Sequence, residues 1–131
     1  VGECNLNKSG LSSEMTSLLN RGLDGVGANE IVVFIAKKIT DNKGNEINGC
    51  AEQSASNRAI TVVSSVGTQW TMGHEICHVL LEGFDVGNGG HERTDKGNLM
   101  FSPTASITAS PPSLSTTQLT KIRSSRYCPA N

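Results

Sequence analysis

The sequence has no apolar run that approaches the roughly 18 residues needed to cross a bilayer, and its first residues, VGECNLNKSG, lack the apolar centre of a signal peptide. It also has no excess of either charge, because 11 lysines and arginines stand against 12 aspartates and glutamates. These absences argue against a membrane span and against nucleic acid or an anionic membrane as a partner. We therefore expect a mature, processed or excised soluble domain, and we expect it to be a monomer.

No internal repeat divides the chain. With 131 residues it is long enough to enclose one apolar core and has little room for a second. The sequence therefore predicts a single domain over residues 1–131.

No CxxC pair occurs among the four cysteines, which are spread over the chain at Cys4, Cys50, Cys77 and Cys128. This spacing argues against a structural zinc site and favours two disulfides. Because disulfides persist in oxidising compartments, we expect a secreted or periplasmic location. Four buried free thiols are the alternative.

Local patterns predict an α+β domain. Apolar residues at helical spacing after a serine cap predict a first helix, and the β-branched residues in EIVVFIAKKIT predict a buried strand. Turn formers fill DNKGNEING, and SPTASITASPPS is typical of a connection. The predicted elements are a helix at 13–23, a strand within 30–40, a strand at Ala59–Val63, a helix at 69–82, a loop at 83–90 and a last helix within 113–128.

All three histidines lie between residues 74 and 91. On an α-helix, His74 and His78 share one face, about 5–6 Å apart at Cβ, so both can bind a single metal ion. Glu75 lies on the flank of that face, where its carboxylate can reach a water on the metal without binding the metal itself. The HExxH pattern therefore predicts a metal site with Glu75 as the general base of a hydrolysis. The alternative is a pair of histidines that cap or pack a surface helix.

A catalytic zinc needs a third protein ligand and an open position for water. The candidates after His78 are Glu82, Asp85, His91, Glu92 and Asp95. Glu82 lies one further turn along the same helix. It is therefore too far from His74 for both side chains to bind one ion together with His78. His91 is the preferred third ligand because its imidazole matches the other two, with Asp85 and Glu92 as alternatives.

The segment HEICH, the later His91 and the tripeptide NLM at Asn98–Met100 resemble the metzincin clan of zinc peptidases. The motif of that clan is HExxHxxGxxH, followed by a methionine turn under the metal. The resemblance covers residues 71–101 by motif, and it extends more loosely to the order of elements over the whole chain. Leu81 stands where the clan has glycine, Phe84 stands where its third ligand falls, and no tyrosine follows the methionine. A longer glycine-rich loop would then bring His91 back to the metal.

The resemblance implies a small metzincin-like α+β domain with a twisted mixed sheet, an N-terminal helix, an active-site helix that carries HExxH and a C-terminal helix. It implies one catalytic Zn²⁺ held by His74, His78 and His91, with Glu75 as general base and Met100 as the turn methionine. The implied function is a zinc-dependent endopeptidase that hydrolyses peptide bonds with a metal-activated water. A protein or peptide substrate would bind in extended form along an edge strand supplied by NGCAEQSASNRAITVV.

Two other functions remain open. The chain could be a peptidase-type toxin or effector domain of a larger secreted protein, which differs in biology more than in chemistry. It could also be a non-catalytic zinc-containing binding module. The glutamate of HExxH argues against this second alternative, because a site that needs only zinc has no use for that carboxylate.

Four cysteines allow three pairings, of which we predict Cys4 with Cys128 and Cys50 with Cys77. The first pair would tie the two termini together, and the second would fasten the start of the cleft strand to the active-site helix. Cys77 projects to one side of the face that the two helical histidines share, so we expect a disulfide or core role for it rather than metal binding. Pairing of Cys4 with Cys50 is the main alternative.

Overall fold

A computed structural model of the chain describes residues 2–4, 13–21, 25–41, 43–53, 59–81 and 90–128. Within these ranges the chain forms α-helices, short β-strands and a short 3-10 helix. In chain order the elements are β1 (Gly2–Cys4), α1 (Ser13–Arg21), β2 (Ile31–Ala36), β3 (Ile39–Asp41), β4 (Glu46–Ile47), β5 (Gly49–Gln53), β6 (Ala59–Ser64), α2 (Thr71–Leu81), the 3-10 helix (Thr104–Ser106) and α3 (Thr116–Arg123). The predicted α+β class is confirmed.

The described strands form two three-stranded sheets, with the order β1-β3-β4 in one and β2-β6-β5 in the other. In the second sheet β6 is central, parallel to β2 and antiparallel to β5. This sheet is therefore mixed, as predicted, and the strand predicted at Ala59–Val63 is confirmed as β6. Within the described residues β5 lies at the edge of the sheet. Helix α2 contacts both β5 and β6, so the edge strand runs beside the helix that carries HExxH.

Two apolar clusters hold these elements together. The first joins α1 to strands of both sheets, and its buried members are Met15, Ile39, Cys50 and Val62. The second joins α2 to the C-terminal part of the chain, and its buried members are Cys77, Leu81 and Met100. Full burial of one such side chain contributes about 1.5–3 kcal/mol. Helix α2 is therefore held on one side by the sheet and on another by the C-terminal part of the chain.

The segment EIVVFIAKKIT, predicted to be one buried strand, forms β2 and β3, which are separated by Lys37 and Lys38. The prediction of burial is wrong, because Ile35 in β2 is 69% exposed and the rest of that strand is half-buried. Strand β2 lies at an edge of its sheet within the described residues. Alternate side chains point to opposite faces of a strand, and those that pack against the first cluster are Val32, Phe34 and Ala36. On the other face of β2, Ile35 is exposed, whereas Ile31 and Val33 are half-buried.

The segment DNKGNEING, predicted to be turn, runs from the last residue of β3 through β4 to the first residue of β5. Asp41 Oδ1 accepts the backbone N–H groups of Lys43 and Asn45, each at 2.8 Å, and Gly44 has a φ of +84°. Glycine adopts that φ without steric cost. The sequence predicts turn throughout this segment, whereas Glu46–Ile47 pairs antiparallel with β3 and forms a short strand.

The helices lie where the sequence predicts them. Helix α1 matches the helix predicted at 13–23, of which residues 22 and 23 lie outside the described residues. Helix α2 matches the helix predicted at 69–82, and residues 82–89 of the predicted helix end and loop also lie outside them. Helix α3 lies within the segment 113–128 predicted for the last helix, and it begins after Ser115, whose side chain caps it. In the described part of the chain, no helix is long and apolar enough to cross a membrane.

Both predicted disulfides are wrong, because Cys77 and Cys128 are free thiols. Cys50 and Cys77 belong to separate apolar clusters, so their side chains do not meet. Cys50 is instead disulfide-bonded. The side chain of Cys4, which the alternative pairing joins to Cys50, lies outside the described residues.

Candidate metal centre

Helix α2 places His74 and His78 one turn apart on one face. Its first turn is fixed by threonine hydroxyls. The Thr68 N–H donates to Thr71 Oγ1 at 2.9 Å, and Thr71 Oγ1 lies 3.1 Å from Thr104 Oγ1. Because Thr71 and Thr104 are both buried, this contact ties the start of α2 to the 3-10 helix. The part of α2 that leads into His74 is therefore held in place.

Three imidazole rings converge at one point. The Nε2 atom of His78 lies 3.1 Å from Nε2 of His74 and 3.1 Å from Nε2 of His91. A tetrahedral ion with metal–nitrogen distances of about 2.0–2.1 Å places its ligand nitrogens about 3.3 Å apart. The observed spacing fits this arrangement, and the three histidines lie close enough to hold one metal ion.

The backbone carbonyl of Leu99 orients His74. Nδ1 of His74 donates to this carbonyl at 2.8 Å. A carbonyl oxygen only accepts hydrogen bonds, so the proton lies on Nδ1 and the lone pair on Nε2 faces the other rings. Such a contact fixes the ring orientation of a metal-binding histidine and raises its basicity.

The three rings are neutral at neutral pH. Burial is the largest cause that lowers the pKa of His74 to about 4 and that of His78 to about 3. The Leu99 carbonyl opposes this fall at His74, and the neighbouring imidazoles add to the fall at both residues. The pKa of His91 is lowered by burial and then by the charge of Arg93. Neutral imidazole is the form that binds a metal.

Glu92 fixes the turn that follows His91. Its Oε1 accepts the N–H groups of Arg93 and Thr94 and the hydroxyl of Thr94, each at 2.8 Å. The bonds from Thr94 are the largest causes that lower the pKa of Glu92 to about 2. The Glu92 carboxylate is thus committed to the turn and is not part of the histidine cluster. Asp85, the other alternative ligand, lies outside the described residues.

Glu75, the predicted general base, is buried against the first residue of β5. A Cβ atom built on Gly49 would lie 2.5 Å from Glu75 Oε1, so the carboxylate occupies space that a glycine leaves open. Burial raises the pKa of Glu75 to about 8. The carboxylate therefore lies beside the edge strand, and it is not one of the converging ligand groups.

Met100 lies in a tight turn. The Phe101 N–H donates to the Asn98 carbonyl at 3.1 Å, which closes the turn over Leu99 and Met100. Met100 is 0% exposed and packs with α2 in the second apolar cluster. The segment NLM therefore fills the core and also supplies the carbonyl that orients His74.

Two side chains behind this turn could not be predicted from the sequence as part of the site. Asn98 Oδ1 accepts the Met100 N–H at 2.8 Å, and Asn98 Nδ2 donates to Gln118 Oε1 at 2.9 Å. The spacing from Ser115 to Gln118 is that of a capping box, which is a signal visible in the sequence. Nothing in the sequence shows that this glutamine also reaches Asn98. The contact between Gly49 and Glu75 could not be predicted either, because the two residues lie on different elements.

No family model, no curated protein and no solved structure matches the chain. The likeness to metzincins is thus carried by the short motifs HEICH and NLM with His91 between them.

Proposed function

We propose that this domain is a zinc-dependent endopeptidase of metzincin type. The observation that carries the proposal is the convergence of the Nε2 atoms of His74, His78 and His91, with 3.1 Å from the central nitrogen to each of the others. Neutral imidazoles suit zinc among the common metals, although they also bind copper, iron and nickel. His74, His78 and His91 would hold the zinc ion, which would supply Lewis-acid activation of water and of a carbonyl.

Glu75 is the proposed general base. It follows His74 directly on α2, which sets its carboxylate at the flank of the metal-binding face. Its burial between α2 and Gly49 holds the carboxylate in place. In the proposed reaction Glu75 takes a proton from the attacking water and delivers it to the leaving amine.

The proposed substrate is a protein or peptide that binds in extended form along β5. Two observations support this: β5 lies at the edge of its sheet within the described residues, and Glu75 lies against its first residue, Gly49. An extended peptide can add to an edge strand through backbone hydrogen bonds. A peptide bound in this way would run past the carboxylate that is proposed to accept the proton.

The proposal includes a monomeric domain in an extracytoplasmic location. The disulfide at Cys50 supports an oxidising compartment. A toxin or effector domain would use the same residues for the same chemistry, so the location and the substrate rather than the site would distinguish it.

Four forms of the domain test the proposal: wild type, Glu75→Gln, His91→Ala and Glu46→Gln. Zinc is measured by elemental analysis, and hydrolysis is measured with a quenched peptide library, with and without chelator. Wild type should carry about one zinc per chain and cleave peptides until chelator is added. Glu75→Gln should keep its zinc and lose hydrolysis by roughly 10²- to 10⁴-fold, because the base is gone and the ligands remain. His91→Ala should lose most of its zinc and its hydrolysis together.

Glu46→Gln is the matched control, because this glutamate is half exposed on β4. It should leave both measurements unchanged. Hydrolysis that survives in Glu75→Gln would contradict the mechanism. Zinc in wild type without cleavage of any library peptide would favour a non-catalytic binding module, and full zinc retention by His91→Ala would remove His91 as a ligand.

A further inference from the structure

The side chain of Asn98 holds the turn at 98–101 from the inside. Its Oδ1 accepts the Met100 N–H at 2.8 Å, and its Nδ2 donates to Gln118 Oε1 at 2.9 Å. Asn98 is 3% exposed and Gln118 is 8% exposed. Both ends of the Asn98 amide are therefore bonded in the interior, and the peptide units at the centre of the turn are held in one orientation.

Gln118 is in turn fixed by the first turn of α3. Its Oε1 also accepts the Ser115 N–H at 2.8 Å, and its own N–H donates to Ser115 Oγ at 3.2 Å, which completes a capping box. A second connection is made by the backbone, because the Leu99 N–H donates to the Ser113 carbonyl at 2.8 Å. The turn is thus attached to the start of α3 through a side chain and through the main chain.

We propose that Asn98 and Gln118 are positioning residues of the metal site. They act through the Leu99 carbonyl, which accepts from Nδ1 of His74 at 2.8 Å and so sets the direction of its Nε2. Partners on the far side of a metal-binding imidazole control metal affinity, although they do not touch the metal. This inference rests on the metal site of the proposed function, and it extends that site to α3.

Gln118→Met tests whether the bond between Asn98 and Gln118 positions His74. Methionine is close in size to glutamine and has no strong acceptor for the Asn98 amide. Zinc affinity is measured by competition with a chromophoric chelator. The dissociation constant should rise by about 10- to 100-fold, because the Leu99 carbonyl is no longer held against His74. Asn98→Ala removes the other partner and should cause a similar rise. The Co²⁺-loaded variants should both show altered d–d absorption bands, which report the arrangement of the ligands.

Ser115→Ala is the matched control. It removes the hydroxyl that caps α3 and leaves the bond between Asn98 and Gln118 in place, so it should lower the melting temperature without changing zinc affinity. Gln118→Glu keeps an acceptor oxygen and should bind zinc close to the wild-type value. The double variant Asn98→Ala/Gln118→Met should bind zinc no more weakly than either single variant, because both changes remove the same hydrogen bond between these two side chains.

A folded Gln118→Met with the wild-type dissociation constant and cobalt spectrum would overturn the inference. Equal weakening by Ser115→Ala would also overturn it, because loss of the α3 cap alone would then explain the effect. If Gln118→Met does not fold, Asn98→Ala and Gln118→Glu decide the question by the same criteria. A wild-type domain that binds no zinc would contradict the proposed function itself, whereas zinc binding that is insensitive to these variants would contradict only the role of Asn98 and Gln118.

Discussion

At the scale of single residues, the burial of the Glu75 carboxyl is unfavourable for its charged form. Its side chain is 7% exposed, and burial raises its pKa to about 8 from an ordinary value of 4.5. At neutral pH the metal-free domain must therefore either keep a proton on this group or hold a desolvated charge. A carboxylate with such a cost is a candidate for function rather than for stability.

Glu75→Gln should raise the free energy of unfolding of the metal-free domain at pH 7 by on the order of 1–3 kcal/mol. The folded pKa of about 8 lies above the unfolded value of 4.5. The contribution of this carboxyl to stability is therefore fully present below pH 4.5 and is lost as the pH rises towards 8. At pH 4 the two proteins should be equally stable. Urea unfolding in chelator at both pH values measures the difference, and a variant less stable than wild type at pH 7 would show that the charged form is favourably held.

At the scale of elements, the site depends on a close contact between α2 and β5. Gly49 pairs with Val63 of the central strand at the start of β5, and the Glu75 carboxylate lies against it. The same helix packs on the turn at 98–101 through the second apolar cluster. The Glu75 carboxylate and the His74 imidazole thus contact different neighbours of α2, which are Gly49 and the turn at 98–101.

Gly49→Ala should lower kcat by roughly 10- to 100-fold while zinc content stays at the wild-type level. The added Cβ would lie 2.5 Å from Glu75 Oε1, so the carboxylate must move. Gly27→Ala is the matched control, because a Cβ there would meet Glu30 at 3.5 Å, which is an ordinary contact. Steady-state hydrolysis and elemental analysis of both variants test the expectation. An active Gly49→Ala would show that the base tolerates displacement.

At the scale of the whole molecule, Cys50 and Cys77 lie in different apolar clusters. Cys50 lies in the cluster beneath α1 and is disulfide-bonded, whereas Cys77 lies in the cluster between α2 and the C-terminal part. Burial, followed by the proximity of Cys128, raises the pKa of Cys77 to about 11. This thiol stays protonated at neutral pH, which makes it a poor metal ligand and a poor nucleophile. Its role is to fill the core.

Alkylation of the unfolded, non-reduced protein should label Cys77 and Cys128 and leave Cys50 unlabelled. In the native protein Cys77 should react far more slowly than in the unfolded protein, because it is 6% exposed and its pKa is raised. Peptide mapping by mass spectrometry after each treatment measures both effects. A peptide in which Cys50 is linked to Cys77 would contradict this assignment and restore the pairing predicted from the sequence.

The sequence by itself determined the features that depend on neighbouring residues. The spacing of His74 and His78 places them on one face of any helix that contains them, and Ser115 begins a helix because its hydroxyl caps the backbone three residues later. The strand at β6 and the α+β class follow from local periodicity in the same way. Ligand chemistry predicts His91 as the third ligand, since it is the only other histidine in the sequence.

Only the tertiary structure decided the contacts between distant segments. The exposure of Ile35 depends on the place of β2 at an edge of its sheet within the described residues. Cys50 and Cys77 do not pair because they enter separate clusters. The bond between Asn98 and Gln118 joins residues 20 positions apart. Local propensity does not encode such contacts, because they form only when packed elements bring the two groups within the 2.9 Å that a hydrogen bond requires. For that reason the three histidines that converge could be predicted from the sequence, whereas the backbone carbonyl that contacts His74 could not.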